Sequence, residues 1–181
     1  MVSSAIEARR ATALPRLTSA WRAILDAVPA AAYTCNSRGW ITYCNAQALA
    51  VWGRSVKMGD PRTRYCGSHR LYNSDGTRLP HDKCWMARAL LEDRRYNGYG
   101  VVIERLDGSR THALVYANPV HGPAGQIIGA VNLIAEMPPP GRSMGDRRAT
   151  QRMPPRTDTF AIMNVALAVL SGLCWPASAF D

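Results

Sequence analysis

Four side chains able to hold a metal or carry nucleophilic chemistry lie close together in this chain: Cys66, His69, His81 and Cys84. The stretch GSHRLYNSDGTRLPHDKCWMARAL, from Gly67 to Leu90, links them. Two residues separate Cys66 from His69, and His81 and Cys84 repeat the gap in mirrored order. Two thiolates and two imidazoles make a tetrahedral zinc set, so zinc is one reading. Another pairs Cys66 with His69 as nucleophile and base, although no third residue that would orient the base is evident. A plainer reading makes Cys66 and Cys84 small buried apolar groups, with His81 hydrogen-bonded at a helix start. The chain has no phosphate-cradling glycine loop with lysine, no G-x-S-x-G and no H-E-x-x-H.

The surrounding composition narrows the choices. The chain of 181 residues is long enough to bury a core without metal or disulfide staples. Its five cysteines are an odd number, and the N-terminus lacks an apolar signal segment, which points to reduced thiols in the cytoplasm. The net charge of +9 is dispersed: residues 21–137 carry 14 bases and 9 acids. That distribution reads as solvated surface, and no nucleic-acid-binding signature accompanies it. Four segments follow. Residues 1–20 are a helical extension, 21–137 the domain, 138–159 a basic Pro/Arg-rich linker and 160–181 an apolar end. The run from Phe160 to Phe180 has no charged residue and, as a helix, would extend about 31 Å, about the hydrocarbon thickness of a bilayer. A tail anchor in the inner membrane is one expectation for it; Asn164, Ser171, Gly172, Pro176 and Ser178 weigh against insertion.

Within residues 21–137 the elements alternate in a recognisable order. Apolar Leu17, Trp21, Ile24, Leu25 and Val28 have helical spacing, and Pro29 ends that helix. Ala31 to Cys35 and Trp40 to Cys44 read as a hairpin joined by NSRG. Asn45 caps a helix over Ala46 to Trp52, which Gly53 closes. Arg54 to Leu79 is turn-rich and receives no assignment. A second helix is expected over Lys83 to Asp93, with Cys84, Ala87 and Leu91 on one face. Three strands follow, in YGVVIER, RTHALVYAN and IIGAVNLIAEM, with Asp107-Gly108 as the hairpin signal between the first two.

Three stretches in this order resemble the PAS (Per-Arnt-Sim) sensor domain of bacterial sensor histidine kinases: VPAAAYTCNSRGWITYCNAQALAVWG, LYNSDGTRLPHDKCWMARAL and VIERLDGSRTHALVYANPVHGPAGQIIGAVNLIAEM. The resemblance implies an α+β fold, a five-stranded antiparallel sheet with short helices on one face enclosing a small-molecule pocket. It implies a lining of Tyr33, Cys35, Cys84, Trp85, Leu91 and Tyr116. Haem through His81 or Cys84 is a further expectation, below that of a small apolar ligand or none. The light-sensing flavin motif NCRFLQ is not matched, since the corresponding region reads GRSVKMGDPRTRYCGS. The expected role is a non-enzymatic sensory or protein-interaction module in bacterial signal transduction. The resemblance implies a homodimer through the N-terminal helix and the outer face of the sheet, with a seam of Leu17, Trp21, Ile24 and Leu25, a histidine kinase as one partner and no nucleic acid. A truncated remnant of a sensor kinase and a small thiol-based enzyme are the alternatives.

Overall fold

In a computed structural model, the described residues are 21–137. The expectations for residues 1–20, the linker 138–159 and the apolar segment 160–181 lie outside them, as do Leu17 and the tail anchor. No helix among the described residues is long and apolar enough to cross a membrane.

Helical residues 21–27 (α1) lead into β1 (Ala31–Asn36) and β2 (Ile41–Cys44), followed by α2 (Ala46–Trp52). Two short strands, β3 (Arg70–Tyr72) and β4 (Arg78–Leu79), precede α3 (Trp85–Glu92). Strands β5 (Tyr96–Glu104), β6 (Arg110–His121) and β7 (Ile127–Met137) complete one antiparallel sheet in the order β2-β1-β7-β6-β5-β3-β4. The sheet therefore has seven strands, two more than expected. The additional pair comes from the unassigned stretch. Its hairpin turn is closed by the Asn73 amide on the Thr77 carbonyl at 2.9 Å, with Asp75 Oδ1 accepting from the Thr77 amide and Gly76 at φ 86°. Strands of three and two residues are too short to show alternation, although Asp75-Gly76 is the same turn signal as Asp107-Gly108.

Alternation on the long strands splits the apolar residues into two layers. On the helix-covered face, Tyr33, Cys35, Val101, Ile103, Ala113, Val115, Ala130 and Ile134 pack with Trp52, Met86, Ala87 and Leu90. On the other face, Ala32, Tyr116, Val131, Leu133 and Ala135 pack beneath Trp21, Leu25 and Val28 of the N-terminal segment. The described part of the expected dimer seam packs on its own domain: Trp21 and Leu25 are buried and Ile24 half-buried, all against the sheet of the same chain.

Asn45 locks these layers together. Its Oδ1 accepts from the Ala48 amide, as a cap should, and also from the Ala32 amide, both at 2.9 Å. Its Nδ2 donates to the carbonyls of Leu25 and Ala30, each at 2.9 Å. One fully buried amide therefore satisfies backbone groups of α1, β1 and α2.

The helix expected over Lys83 to Asp93 begins later. His81–Lys83 is a 3-10 turn, and Cys84 holds the N-cap position with no side-chain cap bond. The buried stripe of α3 is Met86, Ala87, Ala89 and Leu90. Leu91 stands about 100° further round the helix than Leu90 and is 71% exposed.

Candidate functional site

Between the sheet and α3, Tyr33, Cys66, Leu71, Cys84, Trp85, Met86, Val101, Ile103, Val115, Asn132 and Ile134 surround a small cavity. The space there open to the centre of a water molecule is about 20 Å³, room for one or two waters. Of the residues expected to line a pocket, Tyr33, Cys84 and Trp85 do so. Cys35 is buried in the same layer without reaching the cavity. Leu91 and Tyr116 are corrections. Leu91 faces solvent because α3 turns it off the buried stripe, and Tyr116 faces α1 because Val115, its neighbour on β6, takes the inward position.

A row of polar groups reaches inward from the surface. His81 Nε2 lies 3.1 Å from Ser68 Oγ, which lies 3.2 Å from Cys66 Sγ. Deeper, the Tyr33 hydroxyl donates to the Tyr65 carbonyl at 2.9 Å and accepts from Asn132 Nδ2 at 3.0 Å. Asn132 Oδ1 in turn accepts from the Tyr116 amide at 3.2 Å, across the strand pair. Tyr65 offers its carbonyl from a left-handed backbone conformation, φ 67°, held by its amide on the Gly39 carbonyl at 2.7 Å. Such a conformation in a non-glycine residue costs about 1–3 kcal/mol and persists where neighbours over-determine it. Gly67 is needed for the same corner, since a Cβ there would stand 2.4 Å from the Trp52 ring.

The titration behaviour of the buried groups follows from desolvation. Burial pushes the Cys84 thiol up to about 12, with Cys66 adding to the effect. Cys35 and Cys66 are also raised, chiefly by burial, and the Tyr33 phenol is held well above its ordinary value. Burial, then Arg78 and Arg54, lowers His81. The site thus holds protonated thiols and a neutral imidazole near pH 7, the reverse of what activates a cysteine nucleophile.

The zinc expectation is not met by the geometry. Cys66, His69, His81 and Cys84 do not converge, and among the described residues no group of three or more His, Cys, Asp or Glu side chains is placed to hold a metal. Ser68 stands between Cys66 and His81 as a hydrogen-bonding spacer, and His69 remains outside the cavity lining. Haem and flavin do not fit either, because both need several hundred cubic ångströms. Sequence reasoning missed Tyr65, Ser68 and Asn132. Of these, only Asn132 left a sign: it is the sole amide within the apolar run IIGAVNLIAEM.

Comparison with solved structures places this architecture. The RsLOV d2 variant superposes with a TM-score of 0.50 at 18% identity, covering 72% of this chain and 70% of that one. The PAS domain of the fruit-fly ELK potassium channel gives 0.49 at 16%, covering 62% and 90% respectively. The PAS domain of an HTR-like protein from Haloarcula marismortui gives 0.47 at 17%, covering 71% and 98%. The fold is that of PAS and light-oxygen-voltage domains. No family model matches the chain, and the search of curated proteins finds no match.

Proposed function

We propose that this protein is a non-enzymatic PAS-type sensory and interaction module of bacterial signal transduction. In this reading, occupancy of the cavity between sheet and α3 biases the packing of α1 on the opposite face, and a signalling partner such as a histidine kinase reads that change. The observation that carries the proposal is the Asn132 bridge. Its side chain holds the cavity-lining Tyr33 hydroxyl and also the backbone of Tyr116, whose ring packs in the α1 layer. A change of occupancy on one face therefore has a short bonded route to the other, through which binding that favours one packing of α1 shifts the population toward it. The size and apolar lining of the cavity suit a gas-sized apolar ligand. The suppressed ionisation of Cys35, Cys66 and Cys84 disfavours the thiol-enzyme alternative.

Xenon under pressure, followed by amide NMR of the full chain, tests this reading. Shifts are expected at Val115 and Ile134 and, across the sheet, at Tyr116, Leu133 and helical residues 21–27. Shifts confined to the cavity lining would leave the module with no transmission and overturn it.

A further inference from the structure

The N-terminal segment covers only part of the outer sheet face, the area made by β1, β7 and the adjoining length of β6. The rest, on β3, β4, β5 and the start of β6, has a different chemistry. Register places Arg70 beside Glu104, Tyr72 between Arg78 and Val102, and Arg110 on the far side of Glu104. The Arg110 guanidinium lies 4.2 Å from the Tyr72 ring centroid, and that of Arg78 lies 5.8 Å from it. Glu104 is the single carboxylate of this group and serves two arginines, Arg110 at 2.7 Å and Arg70 at 3.4 Å. Arg78 has no carboxylate partner among the described residues. The patch thus keeps a surplus of positive charge, with the Arg70 and Arg110 side chains 47% and 50% exposed.

We infer that this half of the outer face is a docking surface for an acidic segment of a partner protein. Charge decides between the occupants. A second copy would bring the same positive patch onto itself. The chain's own residues 138–159 carry five arginines against two aspartates, so that segment is repelled as well. A nucleic acid would need a longer track of phosphate contacts than three arginines supply, and the embedded Glu104 carboxylate interrupts the track. A segment with a few discrete carboxylates fits: Arg78 beside the Tyr72 ring keeps its paired N–H donors for bidentate binding, while Arg110, whose Nε and Nη2 are on Glu104, adds charge to the same surface. Tyrosine and arginine together are also the composition that dominates binding energy at protein interfaces.

The inference rests on the reading of the chain as an interaction module, yet its test does not involve the cavity, so the two can fail separately. The probe is a fluorescein-labelled decapeptide carrying five glutamates and two leucines, titrated by anisotropy against the full chain. Arg78→Ala with Arg110→Ala should weaken binding about tenfold or more, and the charge-matched pair Arg38→Ala with Arg95→Ala less than about twofold. Glu104→Gln should tighten binding about threefold, a gain that misfolding cannot produce. Equal losses in both arginine pairs would mean that net charge alone is read, and would overturn the proposal. Preferential binding of a single-stranded DNA oligonucleotide or of phosphatidylglycerol vesicles with the same arginine dependence would also overturn it. So would sedimentation showing that the Arg78/Arg110 pair dissolves a dimer.

Discussion

At the scale of single residues, the buried thiols set how stability depends on pH. The folded state keeps Cys84 protonated to about pH 12, whereas an unfolded thiol ionises near 8.5. Above that lower value the unfolded chain binds fewer protons than the folded one, so stability falls as pH rises between the two. Urea melts from pH 8 to 10.5 should show a progressive loss, and Cys84→Ala should flatten the slope. At pH 7, iodoacetamide should label Cys35, Cys66 and Cys84 only as fast as the protein opens; prompt labelling of one of them would revive the thiol-enzyme alternative. Asn45 is the other decisive residue. Asn45→Ala strands the Ala32 amide and two carbonyls, so a loss of about 3 kcal/mol is expected in chemical denaturation. The sequence showed Asn45 as a cap because capping is local; its bonds to residues 25, 30 and 32 depend on how the chain returns, which no local pattern encodes. The cavity divides along the same line. Tyr33, Cys84 and Trp85 were legible from their places in the resembling motifs, but the Tyr65 carbonyl enters through a backbone conformation that its residue type does not advertise.

Among the elements, α3 shows how a plausible face can be misjudged by one residue. Placing Cys84, Ala87 and Leu91 on one face gave Leu91 an inward place; Cys84 instead stands at the N-cap after the 3-10 turn at His81–Lys83, and the buried stripe of the helix runs through Met86, Ala87, Ala89 and Leu90. Leu91→Ser should change the melting midpoint little, while Leu90→Ala should cost about 2–4 kcal/mol. Equal effects of the two substitutions would contradict the helix orientation. The long strands were legible because their alternation runs over many residues. The pair β3 and β4 was not, because three and two residues cannot establish a period and only the turn between them carries a signal.

For the whole molecule, α1 acts as a cover on one part of the sheet. Removing residues 1–28 would expose Ala32, Tyr116, Val131 and Leu133 together, an apolar patch that soluble proteins do not leave open. That truncation should self-associate in sedimentation velocity while the full chain associates less. A truncated form as dispersed as the full chain would show that the cover is dispensable.

The strand order also governs how the chain folds as it is made. β1 pairs with β2, its neighbour in sequence, and on its other side with β7, through Ala31 opposite Ile134 and Tyr33 opposite Asn132. During synthesis β1, the first strand of the described domain, must therefore wait about a hundred residues for β7 before the sheet can close. Until then β1 and β2 form a two-stranded ribbon, which is marginal alone. The Tyr33–Asn132 bond of the cavity joins the same two ends. Sheet closure and completion of the cavity are thus one late event, and a nascent chain arrested before β7 should be protease-sensitive throughout.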